Sequence, residues 1–141
     1  MSRKSAKIAT LILNCDDGQC DPHYSGYFKL FNEGLYYESH DVLEELWLEN
    51  RQSPNYSFYK GLIQLAGAFV HLQKNRLRPS AALFKLARTN LQKYPARYER
   101  LHVAGVLSLI ESWLGELESL DFTFNPLHSR SAPKIVLEAT Q

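Results

Sequence analysis

The residues of this chain best suited to chemistry lie in His40-Asp41-Val42-Leu43-Glu44-Glu45-Leu46-Trp47. On a helix, His40, Glu44 and Trp47 fall at i, i+4 and i+7, and Leu43 shares their stripe. A histidine and a carboxylate therefore project from the face expected to meet the core. A second stripe follows in Gly61, Gln64, Ala68 and His71, which step by three, four and three residues. There two polar side chains alternate with two small residues, which let a neighbouring helix approach closely or leave a small cavity. If the two helices pack antiparallel, as their short connection suggests, His40 and Glu44 meet Gln64 and His71.

Three chemistries fit such a cluster. One is a satisfied buried network, in which Glu44 accepts from a histidine, Gln64 bridges the rest and the Trp47 indole N–H finds an acceptor; burial of a carboxylate requires such pairing. The second is a metal site, because inward-facing carboxylates and histidines are how helical bundles hold iron, manganese or zinc. Two imidazoles and one carboxylate would leave open positions on the ion. Against it, His-x-x-x-Glu occurs once, no Glu-x-x-His pair is present, and Gln64 is a poor ligand. The third is an acid–base or small-ligand pocket, with His40 tuned by Glu44. No nucleophile is tied to it, since nothing links Ser39 or Ser57 to His40.

The elements that must position these residues are helices. Tyr24, Tyr27, Phe28 and Phe31 recur at helical intervals from His23 onward, and Gly34 suits a left-handed C-terminal cap. A second helix is expected from about Tyr36 to Glu49, closed by Ser53-Pro54-Asn55. A third, from Ser57 to Gln73, is apolar nearly all round, which marks a central helix. Pro79-Ser80 opens a fourth that Tyr94-Pro95 ends, and Leu101 to Leu120 forms a fifth. Lys7 to Asn14 reads as extended, as does Ile135 to Leu137. The two runs are candidates to pair with each other or to dock on another subunit. A faint repeat of roughly forty residues, helix, polar turn and returning helix, has a spacing typical of α-solenoids. Tyr24, Tyr27, Tyr36, Tyr37, Tyr56 and Tyr59 crowd the first three helices as core or rim residues.

Bulk properties narrow the classes. The chain has 141 residues, 45% hydrophobic and 22% charged, and a formal net charge of +1. These values suit one globular domain and argue against a disordered chain. The apolar run from Gly61 to Val70 is too short to span a bilayer, and no cleavable signal pattern opens the chain. A cytoplasmic location is the expectation. The cluster of Lys74, Arg76, Arg78, Lys85 and Arg88 reads as a solvated face rather than a nucleic-acid surface, because nothing aromatic interleaves with it. Cys15 and Cys20 are expected to be free thiols. With Asp16, Asp17 and His23 they are also candidate metal ligands, although the spacing is not that of a zinc knuckle.

Phe31-Asn32-Glu33-Gly34, then Tyr37-Glu38-Ser39-His40, Glu44 and Trp47, resembles the His-x-x-x-Glu-x-x-Trp signature of the domain of unknown function 309 family. Tyr59 to Ala66 and on to His71 resembles that family's second block. The likeness covers about Tyr24 to Tyr94 and implies a small bacterial or archaeal all-α protein, with no activity attached. It picks out His40, Glu44, Trp47, Gln64 and His71; Ser39 stands where alanine is expected.

The expectation is thus an all-α compact bundle of about five helices built from antiparallel helical hairpins, with short extended terminal segments. The helical domain would span 23–120, between an N-terminal segment over 1–22 and a tail over 121–141. The expected function is binding of a metal ion, such as a divalent cation, or a small ligand at His40, Glu44, Gln64 and His71. Glu38, Trp47 and Gly61 would support that site. The alternative is a tetratricopeptide-like interaction module in which the cluster is purely structural, and an enzyme comes third. No nucleic acid or membrane partner is expected; helical faces and the terminal segments are candidate surfaces for a homo-oligomer.

Overall fold

A computed structural model describes residues 3–15 and 18–139 of the chain. Its first helix, α1, runs Arg3–Leu11, where the sequence suggested an extended segment. The run Ile8 to Leu13 is too short for its period to choose between strand and helix. Packing decides: Ile8, Leu11 and Ile12, spaced three and four apart, close a small cluster with Leu30 and Val42. Gly26 makes the approach possible, since a Cβ there would lie 2.8 Å from Ile12 Cγ2.

Helix α2 spans Pro22–Asn32, with Asp21 Oδ1 accepting from the His23 amide at 2.8 Å and proline in the first turn. It ends as expected at Gly34, whose φ is +78°, while the Leu35 amide reaches back to Leu30 O at 2.9 Å. Helix α3 covers Tyr36–Leu48 and α4 covers Tyr56–Gln73. Helix α5, Leu77–Leu91, starts before Pro79 rather than at it. First-turn amides have no partner within the helix, so proline removes nothing there. Helix α6 spans Val103–Ser119.

From α2 to α6 each helix packs on the next, with α4 between α3 and α5 and α1 lying on α3. Among the described residues the chain therefore has six α-helices, one more than expected. The core centres on Phe69 of α4, which is fully buried. Its ring meets Phe31, Phe84 and Trp113 edge to face at 5.5, 5.3 and 5.0 Å and stacks on Tyr36 at 5.0 Å. On α2, the buried Tyr27 hydroxyl donates to Leu62 O at 2.6 Å, tying α2 to α4.

Between α5 and α6 a hairpin pairs β1 (Arg97–Tyr98) with β2 (Leu101–His102) around Glu99 and Arg100. Both turn residues have positive φ, 50° and 60°, in positions that usually take Asn-Gly. Their carbonyls are held from outside, Glu99 O by the Tyr24 hydroxyl and Arg100 O by the Glu138 amide, both at 2.7 Å. The tail docks on its own chain and does not pair with the N-terminal run. After a 3-10 turn at Pro126–His128 it is clamped by Asn32, whose Nδ2 donates to Ile135 O at 2.8 Å and whose Oδ1 accepts from Ile135 N at 2.7 Å. No helix among the described residues is long and apolar enough to cross a membrane.

Candidate functional site

Along α4, Ile63, Gln64, Gly67, Val70, His71 and Lys74 form a continuous flank that α3 and α5 leave partly uncovered. Tyr37 and His40 of α3 and Leu83 of α5 complete the walls of a cleft of about 300 Å³. Three of the four residues singled out by spacing, His40, Gln64 and His71, line it together. Glu44 does not.

His40 stands at the mouth. Its Nδ1 donates to Asp41 Oδ1 at 3.1 Å, its Nε2 is 3.7 Å from Glu44 Oε2, and the Tyr37 ring stacks on it with a 23° interplanar angle. Gln64 is oriented from α5, its Oε1 accepting from Asn90 Nδ2 at 2.8 Å. That leaves the amide nitrogen of Gln64 available to a ligand. His71 Nδ1 is buried with no hydrogen-bond partner among the described residues. Burial, then the charges of Arg76 and Lys74, lower the pKa of this ring below the usual histidine value.

Glu44, one turn along α3 from His40, lines a separate cleft with Lys4, Ser5, Ile8, Glu45, Leu48 and Glu49. It accepts from Lys4 Nζ at 2.9 Å, and the same ammonium is 3.6 Å from Asp41 Oδ1. The expected meeting of Glu44 with Gln64 and His71 is thus corrected: α1, read as extended from the sequence, supplies the cation that engages it. Trp47 packs on Tyr56 at 5.3 Å, but its buried Nε1 has no acceptor among the described residues. Glu38 stands in the first turn of α3, where a carboxylate suits the positive end of the helix. Gly61 faces α5 rather than the cleft, with Leu91 and Asn90 at its Cα.

Asp16 and Asp17, named with the cysteines as candidate ligands, lie outside the described residues. Cys15 is a buried free thiol; Cys20 Sγ is 2.8 Å from Ser25 Oγ and 3.4 Å from Arg100 Nη1. The described residues contain no group of three or more His, Cys, Asp or Glu side chains placed to hold a metal ion. Tyr37, Ile63, Gly67, Val70, Lys74 and Leu83 line the cleft without having been singled out by spacing. Lys74 follows His71 by three and could have been found by extending the stripe one more step.

His23 is engaged on both ring nitrogens, Nδ1 by Asp21 at 2.8 Å and Nε2 by Glu45 at 2.9 Å. Burial opposes its charge, but hydrogen bonds to the two carboxylates outweigh it, and its pKa is raised. The two histidines then act oppositely on stability. Protonated His23 contributes below its unfolded pKa, and that contribution is lost as pH rises through the higher folded value. His71, lowered in the fold, favours unfolding as pH falls below its unfolded value. We expect His23→Gln to remove part of the stability lost as pH rises above about 6.5, and His71→Gln part of that lost on acidification below about pH 6.5. Urea midpoints across this range check both; unchanged profiles in either variant would contradict that assignment.

Comparison with known proteins finds one family-model match. Residues 24–83 match the family model described as Domain of unknown function (DUF309), a span that carries most of α2, all of α3 and α4, and the first part of α5. No curated protein and no solved structure matches the chain. His40, Glu44, Gly61, Gln64, Gly67, His71 and Lys74 all fall inside the matched span. The match covers 60 of the 141 residues, so the likeness to the DUF309 family lies in the stretch from α2 to the start of α5 that carries the cleft.

Proposed function

We propose that the protein binds a small organic molecule in the cleft between α3, α4 and α5. What carries the reading is the convergence of His40, Gln64 and His71 on a single, mostly apolar cleft, in which the polar groups are few and held by a second layer. Concave apolar sites with a small number of oriented polar groups are the usual form of ligand pockets, and about 300 Å³ is at the lower end of their range. The orphaned His71 Nδ1 also fits a site that is completed by something from outside the chain. A metal ion is disfavoured because the carboxylate needed as third ligand, Glu44, lies in the other cleft. Nothing in the comparisons supports the tetratricopeptide-like alternative.

The test is a screen of small aliphatic and aromatic fragments by saturation-transfer NMR, with amide shifts of the labelled protein to locate them. Binders are expected to perturb Gln64, Gly67 and His71. Gly67→Leu, which places a side chain in the cleft, should weaken them by about tenfold or more. Fragments that bind equally well to the variant, or that shift residues elsewhere, would remove the cleft from consideration.

A further inference from the structure

Resting on that reading, we infer that the molecule taken by the cleft is an anion: a small carboxylate-bearing compound with an apolar body. The lining residues divide by chemistry. Ile63, Gly67, Val70 and Leu83 offer a surface for a hydrocarbon or aromatic body, whereas His71 and Lys74 gather at one end. No lining residue is acidic. Lys74 is exposed and has no ion-pair partner among the described residues. The charges that bear on the His71 ring are those of Arg76 and Lys74, both cationic. On the α3 side the carboxylates beside His40, Asp41 and Glu44, are engaged by His40 and Lys4; on the α5 side the wall is Leu83.

A cationic ligand would therefore meet an unopposed ammonium, and a neutral one would leave Lys74 without a counter-charge. One feature opposes an anion, the negative end of the α4 dipole. Its last carbonyls are already engaged, however: Val70 O and His71 O accept from Lys74 N, His71 O also from Arg76 N, and Leu72 O from Asn75 N. A carboxylate beside His71 favours the protonated ring, so binding takes up a proton and tightens as pH falls. The other ionisable side chains facing His71 are His40 and Tyr37 from α3 and Lys74 and Arg76 just beyond α4.

The test is an amide-shift titration of the full chain with matched probes: hexanoate and benzoate, their amides, and hexylamine. Carboxylates are expected to shift Gln64, Gly67, His71 and Lys74 saturably and to bind about tenfold more tightly than the amides. They should tighten between about pH 8 and pH 6, a dependence that His71→Gln reduces. Lys74→Gln should weaken the carboxylates several-fold and leave the amides unchanged; as an exposed position it is not expected to disturb the fold. Amides that match the carboxylates, or hexylamine binding most tightly, would overturn the anionic class while leaving a binding site in place. Failure of every probe to perturb the cleft would overturn both.

Discussion

Phe69→Ala is expected to lower the unfolding free energy by about 3–5 kcal/mol, the range for deleting a buried aromatic side chain without collapse of the hole. Collapse is resisted here because four ring neighbours come from four helices, Phe31 from α2, Tyr36 from α3, Phe84 from α5 and Trp113 from α6. A small domain has in total about 5–15 kcal/mol, so the variant should stand near the edge of folding. Phe69→Leu keeps most of the volume and should lose less, about 1.5 kcal/mol or under. Urea denaturation of the three proteins decides. A loss below about 1 kcal/mol for the alanine variant would mean that the aromatic cluster closes around the gap and that Phe69 is not its keystone. The consequence reaches the cleft, because α4 holds Phe69 inward while the same helix presents Gln64, Gly67 and His71 to the opening.

How far the sequence went follows from how much pattern each element carries. Helices α2, α3 and α4 were legible because their apolar residues repeat over three or more turns and Gly34 and Pro54 punctuate them. Helix α1 was not, since a six-residue apolar run is compatible with either period until Leu30 and Val42 are known to lie beneath it. The hairpin at Glu99-Arg100 has no glycine or asparagine to announce it; its left-handed residues are secured by Tyr24 and Glu138, which are distant in sequence.

The candidate site was half legible for a geometric reason. Gly61 and Ala68 lie within about 20° of each other around α4, whereas Gln64 and His71 lie about 60° farther round. A spacing rule that accepts three and four residues alike puts all four on one stripe. Packing separates them, sending Gly61 and Ala68 toward neighbouring helices and leaving Gln64 and His71 at the cleft. Glu44 was misplaced because the cation engaging it belongs to α1, whose helix was not foreseen.

Two glycines on α4 turn that division into a measurable contrast. Gly61→Ala is expected to destabilise the protein by about 1–3 kcal/mol, while Gly67→Ala should be neutral or stabilise it by up to about 1 kcal/mol. The intrinsic gain on replacing a helical glycine with alanine, about 1 kcal/mol, is the same at both positions, so it cancels in the comparison. What differs is the neighbour. A Cβ at Gly61 would lie 2.9 Å from Leu91 Cγ and 3.2 Å from Asn90 Cβ, atoms close to the α5 backbone, and Leu91 is fully buried. Relief requires α5 to move away from α4, which also pulls Asn90 from Gln64. At Gly67 the only near atom is Leu83 Cδ1 at 3.0 Å, the end of a flexible chain beside the open cleft, which can swing aside. Paired denaturation curves and the Gln64 side-chain amide resonances test this directly. Equal losses in the two variants would place both glycines in tight packing, and the cleft beside Gly67 would then have no room for a ligand. The expected split makes Gly61 the residue that seats α5 and Gly67 the residue that keeps the cleft open.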